Sequence, residues 1–373
     1  MCIVLRKCRY VVKSFKPFQI VEFADIAIDR GVVTCIGNCA HLQRCCELEC
    51  DDSMAVPGFV SMHTHVLPEK NSTGYSVEVV RRVLDILVRY GYTATHIVDI
   101  DDAIIDDACK AAEEIGVRIS IGPTISNSKD LKKLSYLKLF KRSPFCFPSV
   151  NISSVEDLDT SVLTAVKEFT SAYSPPLHIH ITSSENLSKT LAFYRKTGSW
   201  PIIVLDSLGL LTEKTCIAHA SWITTWEIER ISERGSCIIL TPFADAVRGV
   251  HGVAHPTLFS IGRLCLGIDN PWHRPSPSLL FDIVALQAIY SNRTWRAYPD
   301  TLQILHYSTT LGSKTIGGTP GIIEVSKKAD IAVLRANQDA LDKSISGFIL
   351  RGLAQYAKYT IVDGKLVWRH QYA

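Results

Sequence analysis

The stretch Val56-Pro57-Gly58-Phe59-Val60-Ser61-Met62-His63-Thr64-His65 decides how the rest of the chain is read. A Pro-Gly corner opens an apolar run, which reads as a short buried strand, and the run ends in two histidines one residue apart. On a strand, residues i and i+2 face the same side, so both imidazoles aim at one point. Two convergent imidazoles at a strand end are how a barrel wall presents ligands to a transition metal. Alone, the pair reads equally well as two polar residues ending a strand, so its meaning depends on what the later strands carry.

Beyond Pro57 the pattern alternates strand and helix. Residues 76–90 have apolar positions at helical spacing, with Ser76 as a cap and Gly91 as a stop. Further strands are expected at 92–98, 117–121, 145–152, 177–181, 216–220, 236–240 and 264–268. Helices are expected at 103–115, 155–172, 186–197, 225–234, 278–291 and 300–312, with a lysine-rich, exposed short helix and loop at 126–142. Eight strands alternating with helices over about 260 residues is the size of a (β/α)8 barrel. A doubly wound open sheet is the alternative, but no Gly-x-Gly-x-x-Gly turn follows the first strand. Residues 1–55 read as short strands around a tight turn at Asp29-Arg30-Gly31. Strands return at 321–325, 329–334, 359–362 and 366–369, with Asp363-Gly364 as a hairpin turn. The simplest pairing joins the two chain ends. The expected fold is therefore a TIM barrel, residues 56–319, inserted in a composite β-sandwich of residues 1–55 and 320–373.

Composition excludes several function classes. The 373 residues are 47% hydrophobic and 21% charged, with a formal net charge of +3. This is an ordinary soluble balance, too weakly charged to argue for nucleic acid or an acidic membrane surface. No run approaches the roughly 18 apolar residues that span a bilayer, and the N-terminus lacks the apolar core of a signal peptide. The expectation is a cytoplasmic protein acting on a small molecule, with homo-oligomerisation left open. Of the 12 cysteines, Cys2, Cys8, Cys35, Cys39, Cys45, Cys46 and Cys50 crowd the N-terminus. Cys35-x3-Cys39 and Cys46-x3-Cys50 approach zinc-site spacing but fall on strand and loop rather than knuckles. Free thiols are the favoured reading. A second metal site and disulfides, which a cytosolic chain carries mainly in a hyperthermophile, are the alternatives.

Catalytic side chains in such barrels sit at the C-terminal ends of the strands. Strand one ends in His63 and His65, the fifth carries His178 and His180, the sixth ends in His219 and the eighth in Asp269. Imidazoles and one carboxylate gathered from different strands suit Zn2+ or Fe2+, with room left for water. His251 and His255 on the loop after strand seven, and Trp272 and His273 after Asp269, are candidates to touch or stack on a planar substrate. Solvated or packed loops are the plainer reading of all four. Asp99, Asp101 and Asp102 read mostly as helix-capping carboxylates, and His178 as a packed layer beneath His180.

These residues resemble the amidohydrolase superfamily, in its mononuclear cytosine-deaminase-like and chlorohydrolase-like branch. Pro57 to His65 looks like the family's strand-one signature and Leu177-His178-Ile179-His180 its strand-five segment. Leu208-Gly209-Leu210-Leu211, then Ala218-His219-Ala220-Ser221-Trp222-Ile223-Thr224, is similar to its strand-six segment. Leu266-Gly267-Ile268-Asp269-Asn270 and the closing Lys328-Ala329-Asp330-Ile331-Ala332-Val333-Leu334 complete the likeness. The resemblance implies that His63, His65, His180 and Asp269 hold one divalent transition metal, zinc first and Fe2+ second. Asp269 would also shuttle the proton of the activated water, and His219 would polarise the group attacked or stabilise the intermediate. No lysine stands where a carbamate bridge to a second metal belongs. The implied reaction is hydrolysis of a C–N bond, by deamination or by amide or amidine cleavage, in a small heterocycle-like substrate.

The departures lie around that set. His180-Ile181-Thr182-Ser183 puts serine where the deaminases carry the glutamate of His-x-x-Glu, and serine cannot hold a proton at neutral pH. Glu185 is the nearest replacement, unless it is an ordinary carboxylate at a helix N-terminus. Strand seven has Leu240-Thr241-Pro242 in place of His-x-Pro, and the strand-four histidine is missing. Three alternatives therefore stay open: removal of another leaving group, ring opening of a cyclic amide, and a metal-stabilised barrel kept for binding.

Overall fold

A computed structural model of the chain describes residues 2–39, 45–67, 76–181, 187–249, 255, 257–261, 263–295, 299–335 and 344–371. The chain starts in β1 (Ile3–Phe15), β2 (Phe18–Asp29), β3 (Val32–Gly37), β4 (Cys46–Glu49) and β5 (Ser53–Pro57), and closes in β16 (Ile331–Arg335), β17 (Tyr359–Val362) and β18 (Lys365–Arg369). These strands form one eight-stranded sheet in the order β18-β17-β16-β5-β1-β2-β3, with β4 also on β1. Strand β5 pairs antiparallel with β16, Ile331 facing Pro57, so strands from the two ends of the chain meet in the middle of the sheet. The sheet doubles over: Ile3, Leu5, Val11, Ile26 and Ile28 from one end pack in one apolar cluster with Ile331, Val333, Tyr359 and Ile361 from the other. Both faces of a sandwich are thereby built from segments that lack a second face alone.

Between these ends lies a parallel barrel. Its wall runs through β6 (Phe59–His65), β7 (Tyr92–Val98), β8 and β9 (Arg118–Ile121 and Thr124–Ile125), β10 and β11 (Cys146–Pro148 and Val150–Ile152), β12 (Leu177–Ile181), β13 (Thr215–His219), β14 (Cys237–Leu240) and β15 (Leu264–Leu266). The third and fourth staves are each broken in two. Gly122 lies in the first break, where a Cβ would sit 1.7 Å from the carbonyl oxygen of Ser149. Closure falls at the opening stretch: Thr64 bridges Asp269 in parallel, His65 N–H donates to the Asp269 carbonyl (3.0 Å) and Asp269 N–H to the His63 carbonyl (2.9 Å). Gly267 permits it, because a Cβ there would lie 2.5 Å from the His63 Cβ. The helix Val77–Arg89 buries Val80, Val83, Leu84, Leu87 and Val88, the stripe its spacing predicts.

Several elements differ from the sequence reading. Residues 321–325 are not a strand; Ile323 is buried and its N–H donates to the Lys13 carbonyl (2.9 Å). The expected helix 300–312 becomes an α-turn, Thr301–His306, continuing into a π-helical turn, Tyr307–Leu311. Short helices at Pro201–Ser207, Pro242–Val247 and Ile345–Leu353 carry too few turns to show a period. The cysteines also depart from the favoured reading of free thiols. Disulfides join Cys2–Cys45, Cys35–Cys39 and Cys109–Cys146, while Cys8, Cys46, Cys50, Cys216, Cys237 and Cys265 are free. The first pair follows from topology, since the parallel register Ile3–Cys46 sets Cys2 beside Cys45. Among the described residues no helix is long and apolar enough to cross a membrane.

Candidate metal centre

Four strand ends converge at the barrel mouth. One ligand atom each from His63, His65 and His180 lies within 4.8 Å of the others, and the same holds for His63, His219 and Asp269. His63 and Asp269 are fully buried, and His180 and His219 nearly so. Alternation along β6 turns His63 and His65 the same way, and their Nε2 atoms are 3.2 Å apart. His180 Nε2 is buried with no hydrogen-bond partner among the described residues, an orphan whose chemistry is that of a ligand nitrogen. Asp99, His219, Ala220 and Asp269 all have positive φ, between 51° and 69°. Left-handed backbone costs non-glycine residues on the order of 1–3 kcal/mol, and its concentration at these strand ends marks a site rather than a solvent-facing rim.

Each imidazole is oriented by its second nitrogen. His63 Nδ1 is 3.0 Å from His178 Nε2, and His180 Nδ1 is 3.2 Å from the Ile152 carbonyl. His65 Nδ1 is 3.3 Å from the Asp99 carboxylate. His219 Nδ1 lies 3.0 Å from the Thr241 hydroxyl and 3.4 Å from Asp245 Oδ1. Below this layer, His96 stacks on His178 at 4.6 Å and is held by Ser120 (3.1 Å) and Asn151 (2.8 Å). A hydrogen bond at one ring nitrogen sets the tautomer and leaves the other nitrogen for the metal.

Electrostatics favours neutral imidazoles, the form that ligates. Burial, reinforced by the neighbouring histidines, holds His63 and His178 well below the usual imidazole range. Burial likewise takes His180 down to about 3 and His96 to about 4. Asp269 goes the other way. Burial pushes its carboxyl up, but the facing rings of His65 and His219 and the Arg248 guanidinium outweigh that and hold it below the usual carboxylate range. Three imidazoles and a carboxylate with one orphan nitrogen fit a divalent transition metal of the zinc or iron type.

Arg248 was not singled out from the sequence. Its guanidinium donates to both oxygens of Asp269, at 2.7 and 3.1 Å, in a bidentate pair. It follows the short helix Pro242–Val247, whose Asp245 faces His219. A cluster of small and apolar residues after Pro242 carried no signal for either. Asp99, read as a capping carboxylate, pairs with His65 instead, whereas Asp101 does cap, accepting from Ala103 N–H (3.0 Å). Asp99→Ala is expected to weaken zinc binding about 10- to 100-fold in a chelator competition. A change under about twofold would return Asp99 to a loop role.

The outlying candidates are distributed differently. Trp272 donates its indole N–H to the Val66 carbonyl (3.0 Å), one residue past His65, while the ring is partly exposed. His273 is exposed beside it. His255 is engaged by Thr257 N–H (3.2 Å) and sits 3.4 Å from the Thr225 hydroxyl. Glu185 and His251, with Ser183, lie outside the described residues.

Comparison with known proteins adds an independent line. The sequence pattern of the amidohydrolase family matches residues 54–367. A 5-methylthioadenosine/S-adenosylhomocysteine deaminase of Thermococcus sibiricus is 24% identical over 279 residues, covering 70% of this chain and 65% of the relative. Among solved structures, atrazine chlorohydrolase TrzN from Arthrobacter aurescens TC1, complexed with zinc, superposes with a TM-score of 0.83 at 17% identity, covering 98% of this chain and 95% of the other. Guanine deaminase from C. acetobutylicum, with guanine bound, superposes with a TM-score of 0.83 at 15% identity, covering 99% of this chain and all (100%) of the other. At those identities the structural likeness speaks for the fold.

Proposed function

The chain belongs to the amidohydrolase family, and from that premise we propose that it is a metal-dependent hydrolase of C–N bonds in a small heterocyclic substrate, with deamination as the leading reaction. The observation that carries the reading is the convergence of His63, His65, His180, His219 and Asp269 at one barrel mouth. We assign His63, His65, His180 and Asp269 to the metal, taken as zinc, which the neighbouring chlorohydrolase structure holds. A divalent ion held there supplies Lewis acidity, which makes hydroxide available near neutral pH.

The protein's own groups supply the rest. Asp269, paired with Arg248, stays ionised and is a weak base, suited to orienting the nucleophile more than to storing its proton. His219 stands beside it with one nitrogen facing the same space. Trp272 and His273 edge the mouth as planar contacts for a ring, and Glu185 and His251 remain candidate substrate contacts. The barrel, residues 56–319, carries the chemistry, and the sandwich of residues 1–55 and 320–373 supports it. We place the enzyme in the cytoplasm, where three disulfides fit a hyperthermophile, whose intracellular proteins are rich in them.

Two measurements test this. Purified protein is expected to contain one equivalent of transition metal, and protein without it overturns the enzyme reading. The zinc-loaded protein is then screened for ammonia release from adenine and guanine nucleobases, from 5′-deoxyadenosine-type nucleosides and from amino-triazines. Release from any of them supports deamination. Turnover without ammonia, from chloro-triazines or cyclic amides, moves the assignment to the alternative leaving groups or to ring opening.

A further inference from the structure

Position 183 is serine where the family resemblance implies a proton-carrying glutamate, and beside His219 stands a buried carboxylate other than Asp269. Asp245 is fully buried, on the helix Pro242–Val247, and one of its oxygens, Oδ2, has no hydrogen-bond partner among the described residues. The other, Oδ1, faces His219 Nδ1 at 3.4 Å, where the Thr241 hydroxyl also approaches at 3.0 Å. Helical backbone sets this up: Asp245 N–H donates to the Thr241 carbonyl (2.9 Å), which stacks both side chains on one face of the turn toward β13.

The two partners of Nδ1 are not equivalent. A hydroxyl can donate or accept, so Thr241 alone does not specify which ring nitrogen carries the hydrogen. An ionised carboxylate can only accept. Facing an accepting carboxylate oxygen, Nδ1 carries the N–H, which leaves the lone pair of His219 on Nε2, toward the space shared with His63 and Asp269. We propose that Asp245 is the positioning residue of this site, holding His219 as the Nδ1–H tautomer with its Nε2 lone pair presented to the substrate. This rests on the hydrolytic reading above for its consequence, though not for its geometry.

That consequence is a changed role for His219. An imidazole with Nε2 unprotonated cannot donate a hydrogen bond to a carbonyl or ring nitrogen; it accepts. In a deamination, one O–H proton of the attacking water goes to His219 Nε2 as the oxygen bonds to the ring carbon. The same proton passes to the exocyclic nitrogen, the C–N bond breaks with its electron pair on nitrogen, and ammonia leaves. The remaining hydroxyl hydrogen moves to the adjacent ring nitrogen, giving the carbonyl product. The Asp245–His219 pair thereby carries the proton from water to leaving group, with the carboxylate one residue removed from the proton.

The experiment uses the zinc-loaded full chain labelled with 15N at histidine. Long-range 1H–15N correlation spectra report which nitrogen of each ring is protonated, and His219→Asn assigns the signal. Wild-type protein is expected to show His219 as Nδ1–H, Thr241→Val to keep it, and Asp245→Ala to lose it to a tautomer mixture. An Nε2–H signal in the wild type, or an unchanged tautomer in folded Asp245→Ala, overturns the proposal. On a substrate found by the ammonia screen, the isosteric Asp245→Asn is expected to lower kcat about 100-fold or more, with KM within about twofold and zinc content unchanged. A fall in zinc content or stability in place of kcat would show a structural role and overturn it. Should no substrate release ammonia, the deamination reading fails while the tautomer measurement still decides Asp245.

Discussion

Alanine at both His63 and His65 is expected to remove the metal and the reaction together. Zinc content should fall from one equivalent to none, and turnover by about 10⁴-fold or more, because water without the metal regains its ordinary pKa. The two rings are the pair that alternation along β6 brings to an Nε2–Nε2 separation of 3.2 Å, and losing both leaves His180 and Asp269 without a third donor. The fold should survive in part: β6 stays locked to the segment that follows β15 by main-chain bonds between His63, His65 and Asp269 that do not depend on side chains. Circular dichroism checks that point. A double variant that keeps a stoichiometric metal would place the centre elsewhere.

What the sequence shows well are residues whose neighbours in space are also neighbours in period. His63 and His65 share a face because a strand repeats every two residues, and the strand boundaries 92–98, 177–181 and 359–362 coincide with observed strands for the same reason. Gly267 is legible once the barrel is assumed, since the strand carrying Asp269 has to approach β6 at His63 more closely than any side chain allows.

Arg248, Asp245 and Asp99 are a different case. Each acts through a partner on another strand: Asp269, His219 and His65 respectively. No periodicity connects them. Arg248 and Asp245 follow Pro242 on a turn too short to have an apolar stripe, and Asp99 sits among three aspartates that all look like caps. Composition could not separate Asp99 from Asp101; only the left-handed φ of 52° at Asp99, which turns its carboxylate toward His65, does so. The disulfides were hidden in the same way, since Cys109 and Cys146 lie on a helix and a strand whose packing is tertiary.

The largest expected effect on stability lies at the seam between barrel and sandwich. Arg118, on β8, is fully buried and donates to Asp330 and, at 3.1 Å, to Asp363. Asp330 closes the Lys328-Ala329-Asp330 segment, is itself 2% exposed, and accepts from Asp363 N–H at 2.8 Å. Burial pushes the Asp330 carboxyl up and the Arg118 charge pulls it back, so the pair stands only while both partners are present. Arg118→Ala removes the cation and leaves a carboxylate in the core. Breaking a buried pair from one side costs about 3–5 kcal/mol, and the hairpin at Asp363 loses an anchor as well. Denaturant unfolding should show the extrapolated unfolding free energy falling by that amount, with barrel and sandwich signals separating if the seam is what couples them. Arg118→Met with Asp330→Leu replaces both charges by apolar groups and should recover most of the loss, since a matched apolar pair often equals a buried ion pair. If the double variant is as unstable as Arg118→Ala, the hydrogen bonds to the Asp363 turn, rather than the buried charge, hold the two parts together.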